Sequence, residues 1–275
     1  MKKIRSESEF LLKLLARIIL WPFRLVQVLL GRKRKTELFK PWQDLVRFVF
    51  EPRFTITIII INIAIFLLQP VLVQYGFFNR LILYPVDLLN LKFYTLFTAG
   101  FLHANLAHLL GNVLALFVFG RIVERKFGAG YAALIYFGSL IISGIFSSLI
   151  YLAMGQNTGG LGASGAIMGL VAAAILIDPF YLVYEFLIPL PVMVLGWITL
   201  YADITGVINP RQDGIGHFAH LGGFLAMTLL IFFMNSHDRK KMVRGFWVNI
   251  ASLAVIIILH VLIMHFTGFK LFSLL

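Results

Sequence analysis

The sequence predicts an all-α polytopic membrane protein, and three observations carry that prediction. Hydrophobic residues make up 60% of the chain and charged residues only 13%, whereas about a quarter of a soluble domain is charged. Seven apolar runs follow one another, each near the length that crosses about 30 Å of hydrocarbon. The net charge of +12 is unevenly placed, with 13 of the 24 Lys and Arg inside residues 1–53. Charge of that distribution suits a membrane surface, and no nucleic-acid partner is expected. Cysteine is absent, which excludes disulfides, thiolate metal sites and a cysteine nucleophile.

The first element is the stretch 10–30, apolar but interrupted by Lys13, Arg17 and Arg24, which share one helical face with Gln27. Three cations at membrane depth cost more than the neighbouring aliphatic side chains return, so the stretch reads as an amphipathic helix lying on the surface. The same cations break the continuous core of a signal peptide, and no clear cleavage site follows. Gly31-Arg32-Lys33-Arg34-Lys35 then forms a basic linker suited to anionic lipid headgroups.

The first span is expected over 55–68, ended by Pro70. A long connection, 71–106, carries Tyr75, Phe77, Phe78, Tyr84, Phe93 and Tyr94, aromatics that favour an interfacial, partly embedded loop. Further spans are expected over 107–122, 131–154, 162–177, 187–205, 218–234 and 248–266, the fifth entered through Pro189 and Pro191. The N-terminal region and the connections after spans two, four and six hold 20 Lys and Arg, and the other connections with the C-terminus hold 4. The positive-inside rule therefore puts the N-terminus in the cytoplasm. A multi-pass protein of a bacterial cytoplasmic membrane is the expected setting.

With that topology, spans two, four and six all start at the outer face. His108 and Asn112 stand at the start of span two, Ser164 at the start of span four and His220 near the start of span six. All four then lie at one shallow depth, and polar side chains within spans face a bundle interior or a wet cavity. Gly165, Gly169 and Ala173 form a ridge of small residues on span four, as Ala219 and Gly223 do on span six, and such ridges let helices approach closely in lipid.

Serine, histidine and asparagine brought together are the parts of acyl-transfer chemistry. A serine hydroxyl needs an adjacent base, and His220 is the candidate for Ser164. Asn112, His108 and the backbone amide of Ser164 at a helix start are candidate donors to an oxyanion. Asp203 stands at the outer end of span five and Asp213 in the next loop; neither is expected to complete a triad, and a Ser–His dyad is predicted. No cofactor is expected. A zinc site on His217 and His220 is not expected, because the His-Glu-x-x-His signature is missing.

Gly162-Ala163-Ser164-Gly165, the His108-x-x-x-Asn112 pair and Ala219-His220-Leu221-Gly222-Gly223 resemble the motifs of the rhomboid family of intramembrane serine proteases. The resemblance covers roughly residues 55–235, and the three motifs are specific in combination. It implies a six-helix core, a Ser–His dyad, an embedded loop between the first two spans, and cleavage of membrane-anchored substrates near their transmembrane segments. Glu124-Arg125 matches a structural signature of the family. Two positions depart from it: Phe93-Tyr94-Thr95 stands where members often have Trp-Arg, and Met168 where some carry an aromatic against the catalytic histidine. A thioether packs on an imidazole as well.

The expected organisation is a basic cytoplasmic region with its interfacial helix (1–53), a rhomboid-like six-helix catalytic core (54–235), and a basic connection with a seventh transmembrane helix (236–275). Gly162, Gly165, His103 and Met168 are expected to support the site, His103 by organising the loop and His217 by positioning water or the sixth helix. The expected partners are transmembrane protein substrates and the lipid bilayer. The rival reading is an inactive relative that binds transmembrane helices without cutting them; its expected mark, loss of Ser164 or His220, is absent. A transporter is disfavoured, since nothing suggests paired broken helices at the midplane.

Overall fold

The computed structural model describes residues 7–183, 189–210 and 214–267. Three helices on the N-terminal side, α1 (Glu7–Ile19), α2 (Trp21–Leu29) and α3 (Thr36–Phe50), precede seven core helices. These are α4 (Arg53–Gln74), α5 (Leu106–Phe127), α6 (Ala129–Ala153), α7 (Ser164–Ile177), α8 (Val192–Ile208), α9 (His217–Phe233) and α10 (Ser236–Thr267). The sheet content among the described residues is a two-residue antiparallel ribbon, Leu182–Val183 with Leu190–Pro191, just before α8. The chain is an all-α membrane protein, as its composition predicts.

Helix lengths divide the core into two sets. Helices α4, α5, α6 and α10 are long and apolar enough to cross a membrane. Helix α7 has only 14 residues and α8 only 17. Fourteen residues at 1.5 Å each reach about 21 Å, short of the roughly 30 Å of hydrocarbon. The run 162–177 therefore does not form one uniform span, because Gly162 and Ala163 belong to a loop and the helix starts only at Ser164. Every residue of α7 from Gly165 to Ile175 is buried, packed by α6, α9 and α10.

Helix α6 closes on α7 through serines that sit against glycines. A Cβ at Gly165 would overlap Ser143 Oγ, and one at Gly169 would overlap Ser139 Oγ. Helix α9 lies closer still, where a Cβ at Gly223 would run into the carbonyl oxygen of Gly165. Helix α10 joins on the far side. Asn249 donates to the carbonyl of Ile175 at 2.7 Å and accepts from Trp197 Nε1 of α8 at 3.0 Å.

Several boundaries differ from the sequence expectation for identifiable reasons. Pro70 does not end α4, which continues to Gln74. Proline removes only its own amide, and the turn beyond it still closes, with Tyr75 N donating to Val71 O at 3.1 Å. The single amphipathic helix expected over 10–30 is two helices broken at Leu20, because Pro22 occupies the first turn of α2. Residues 36–50, expected only as part of a basic tail, form α3 with Pro41 inside it.

The N-terminal helices are fastened to one another and to the core. Arg17 pairs with Asp44 at 2.7 Å, and Trp21 Nε1 donates to Leu38 O at 3.0 Å. Phe48 stacks on Phe10 at 5.4 Å and lies beneath the guanidinium groups of Arg121 (4.6 Å) and Arg125 (4.5 Å). Arg125 also donates to Phe48 O at 2.9 Å. Between these arginines Glu124 caps the start of α4, accepting from Phe54 N at 2.9 Å and from Thr55 N and Thr55 Oγ1 at 2.8 Å each. The carboxylate thus satisfies amides that a helix start leaves without partners. Glu124→Ala is expected to lower stability by about 1–3 kcal/mol, the cost of buried donors left unsatisfied. Thermal unfolding in detergent checks this, and Glu124→Gln should restore part of the loss.

Candidate active site

The segment before Ser164 is held by backbone pairing with the long loop between α4 and α5. Leu83 and Gly160 exchange both amide bonds, at 3.1 and 2.8 Å, and Gly162 N donates to Ala99 O at 2.9 Å. The loop is itself tied to α4, where the Gln69 side chain donates to His103 O and accepts from His103 N, both at 2.8 Å. Gly162 then turns with φ +121°, a region open to glycine and few other residues. A Cβ there would stand 2.7 Å from the His108 ring and 3.6 Å from Asn112 Nδ2. The absence of a side chain at Gly162 thus makes room for both groups. Ser164 follows as the first residue of α7, so its amide has no acceptor within the helix.

His108 and Asn112 share one face of α5, four residues apart. Asn105 caps that helix by accepting from His108 N at 2.9 Å. Ala104 N donates to His108 Nδ1 at 3.4 Å, which leaves the proton of the neutral ring on Nε2, the atom nearest Gly162 after Cε1. Asn112 is buried, and its Nδ2 has no hydrogen-bond partner among the described residues. His103 lies behind this pair, fully buried, with its ring 5.1 Å from that of His108. Burial, with His108 beside it, pushes the His103 imidazole down to about 4, so the ring is neutral.

One cavity of about 790 Å³ collects Ser164, His220, His108 and Asn112, together with Ser143 and Tyr151 of α6. The four residues expected to converge do so. Gly162 and Gly165 also line the cavity. His103 does not line it and backs onto His108 instead. Met168 is buried in the hydrophobic core, and a Cβ at Gly223 of α9 would approach Met168 Cβ at 3.0 Å.

The expectation that neither Asp203 nor Asp213 is placed to join Ser164 and His220 is corrected for Asp203, which stands beside His220. Its Oδ1 lies 2.8 Å from His220 Nδ1 and 2.9 Å from His217 Nδ1. As the supposed outer end of a span, Asp203 reads as solvated, but α8 runs on to Ile208 and Asp203 is only 3% exposed. The signal was present in the sequence, since an ionisable residue inside an apolar helix is a functional candidate by default. His217 is held by a carboxylate, with its ring in the space that a side chain at Gly206 would take. Asp213 lies outside the described residues.

Asp203, His217 and His220 present ligand-type atoms within 4.8 Å of one another. Both rings meet the same oxygen at hydrogen-bond length, however. Arms of about 2.0–2.1 Å to a tetrahedral zinc would hold ligand atoms about 3.3 Å apart. The separations of 2.8 and 2.9 Å are those of hydrogen bonds to one carboxylate oxygen.

Residues 90–236 match the family model described as the Rhomboid domain. RHOMBOID-like protein 12, mitochondrial, of Arabidopsis thaliana is 28% identical over 60% of this chain and 54% of its own length. Rhomboid-like protein 11, chloroplastic, of the same plant is 29% identical over 54% of this chain and 55% of its own. Rhomboid protease AarA of Providencia stuartii is 29% identical over 64% of this chain and 70% of its own length. The chain thus spans about half the length of the two plant relatives.

The contact of α7 with α9 sets the distance between the two sides of the cavity. Gly223→Ala is expected to push these helices apart, with an overpacking cost of about 1–3 kcal/mol. The measurement is the unfolding temperature in detergent, which should fall.

Proposed function

The chain belongs to the rhomboid family, whose model it matches over more than half its length, and from that premise we propose that it is an intramembrane serine endopeptidase. Its substrates are membrane-anchored proteins cut in or near their transmembrane segments. The observation that carries the reading is the single cavity in which Ser164, His220, His108 and Asn112 meet.

Ser164 Oγ attacks the scissile carbonyl carbon while its proton passes to His220 Nε2. The developing oxyanion receives the Ser164 amide, Asn112 Nδ2–H and His108 Nε2–H. The unpartnered amide of Asn112 supports that role, because a donor held ready costs no reorganisation when charge appears. Collapse of the intermediate breaks the C–N bond, and the leaving nitrogen takes the proton from His220. Water then attacks the acyl-enzyme by the same route in reverse. Peptide bonds in a stable helix are shielded, so the preferred site has small residues, with helix-weakening Gly or Pro just inside. Lateral entry past α8, after Pro189 and Pro191, fits its short length.

We place the basic N-terminal region on the cytoplasmic face, where the apolar side chains that α1–α3 leave exposed, among them Phe23, Leu29, Phe39 and Trp42, rest on lipid and residues 32–35 meet anionic headgroups. The chain lacks cysteine, so single cysteines introduced at Asn157 and at Lys240 give a clean topology test. Impermeant maleimide should label them from opposite sides of sealed vesicles, and labelling from one side would refute the span count.

Ser164→Ala and His220→Ala should each reduce cleavage of a single-pass substrate to background in folded, membrane-inserted protein. Asn112→Ala, which removes one oxyanion donor of three, should slow turnover by about 10²–10³ and leave probe labelling of Ser164 slower but detectable. His103→Ala should retain most activity. Full cleavage by Ser164→Ala protein would end the protease reading.

A further inference from the structure

For His220 to receive the Ser164 proton at Nε2, that nitrogen must be unprotonated beforehand. A neutral imidazole carries one ring proton, and its position is set by the hydrogen bond the other nitrogen makes. His220 Nδ1 lies 2.8 Å from Asp203 Oδ1. A carboxylate only accepts, so the bond fixes the proton on Nδ1 and leaves the Nε2 lone pair for the cavity.

Asp203 reaches the base from behind. His220 lines the cavity and Asp203 does not. We propose that Asp203 is a positioning residue for the reaction, holding His220 in its Nδ1–H form and stabilising the imidazolium that forms, with His217 fixing the carboxylate in turn. The proposal rests on the protease reading of Ser164 and His220. In the first step the Oγ–C bond forms, the Oγ proton moves to Nε2, and the Nδ1 proton stays where it is. The imidazolium then faces a negative charge already in place, and it loses its Nε2 proton to the leaving nitrogen as the C–N bond breaks.

Three observations favour this over a packing role. A carboxylate in an apolar helix is costly unless paired, and Asp203 spends its bonds on two histidines, not on its own helix. Both rings converge on Oδ1, while Oδ2 makes no hydrogen bond among the described residues; among those residues the two histidines hold the carboxylate. Helix α8 is also shaped for the second ring, since any side chain at Gly206, three residues on, would displace His217.

The test uses full-length protein in detergent with a single-pass substrate and a fluorophosphonate probe. Asp203→Asn keeps the shape but removes the charge and lets the wrong tautomer form. It should lower kcat by up to about 10⁴-fold, the scale seen when a triad aspartate is neutralised. KM should stay within about threefold, because the carboxylate touches no substrate. Asp203→Glu, which restores the charge, should recover part of kcat. Ring ¹⁵N NMR of histidine-labelled wild-type protein should find neutral His220 protonated at Nδ1, a readout independent of whether any variant folds. A kcat for Asp203→Asn within about threefold of wild type, equal loss in the Asn and Glu variants, or an Nε2–H tautomer would each overturn the proposal. Wild-type protein that neither cleaves nor labels at Ser164 would instead remove the protease reading beneath it.

Discussion

The place where α7 and α9 touch has no room for a side chain, and the rest of the site depends on that. The Gly165 carbonyl occupies the space a Cβ of Gly223 would need. Lipid tails are as apolar as leucine, so helices in a membrane gain little by hiding hydrophobic surface from one another. Their association relies on close packing and on hydrogen bonds between helices. Backbone-to-backbone contact at a glycine pair supplies the packing, and it fixes both the separation and the register of the two helices. Ser164 and His220, one and three residues from that pair, inherit their placement from it. On the other flank Ser139 and Ser143 of α6 fill the hollows left by Gly169 and Gly165, so α7 is held between a backbone contact on one side and small polar side chains on the other.

The loop between α4 and α5 does for the backbone what the glycines do for the helices. Buried polar main-chain groups need partners. Gln69 closes both groups of His103, Leu83 and Gly160 close each other, and Ala99 closes Gly162. The side chain of a helix and the backbone of two loops thereby form one connected framework around the serine. Glu124 plays the corresponding part at the opposite end of the molecule, where it closes the first amides of α4.

Much of this was legible from residue order alone. Hydropathy located seven apolar helices, and the offsets of His108, Asn112, Ser164 and His220 within their spans were enough to predict one shared cavity. Small residues at four-residue spacing marked the close contact of α7 and α9. Two of the misses share a cause, which is that a linear reading treats the ends of apolar runs as the ends of spans. Helix lengths in the centre were overestimated because Gly162 and Ala163 are apolar but belong to a turn. Asp203 is hidden from a linear reading because a charge near a span boundary reads as solvated, and only the packing of α8 against α9 shows it buried. Pro70 looked like a stop, though the loss of one amide does not end a helix whose later bonds remain available. Helix α3 carries too little hydrophobicity to stand out; its fastening through Phe48 to Arg121 and Arg125 is a long-range contact that local pattern does not encode.

The complete enclosure of α7 bears on which sequences this fold tolerates. A helix with one lipid-facing side accepts change there, so its tolerance to substitution rises and falls every three to four residues. Gly165 to Ile175 is buried at every position, leaving no permissive side. A saturation scan along this helix would therefore read as an unbroken band of intolerance with no helical period. The same scan along α4, where Ile60, Leu67 and Leu68 are exposed and Ile58, Asn62 and Gln69 are buried, would show the usual alternation. The helix that carries the serine is, in that sense, dissolved in protein rather than in lipid, and drift in its sequence is limited by neighbours on all sides.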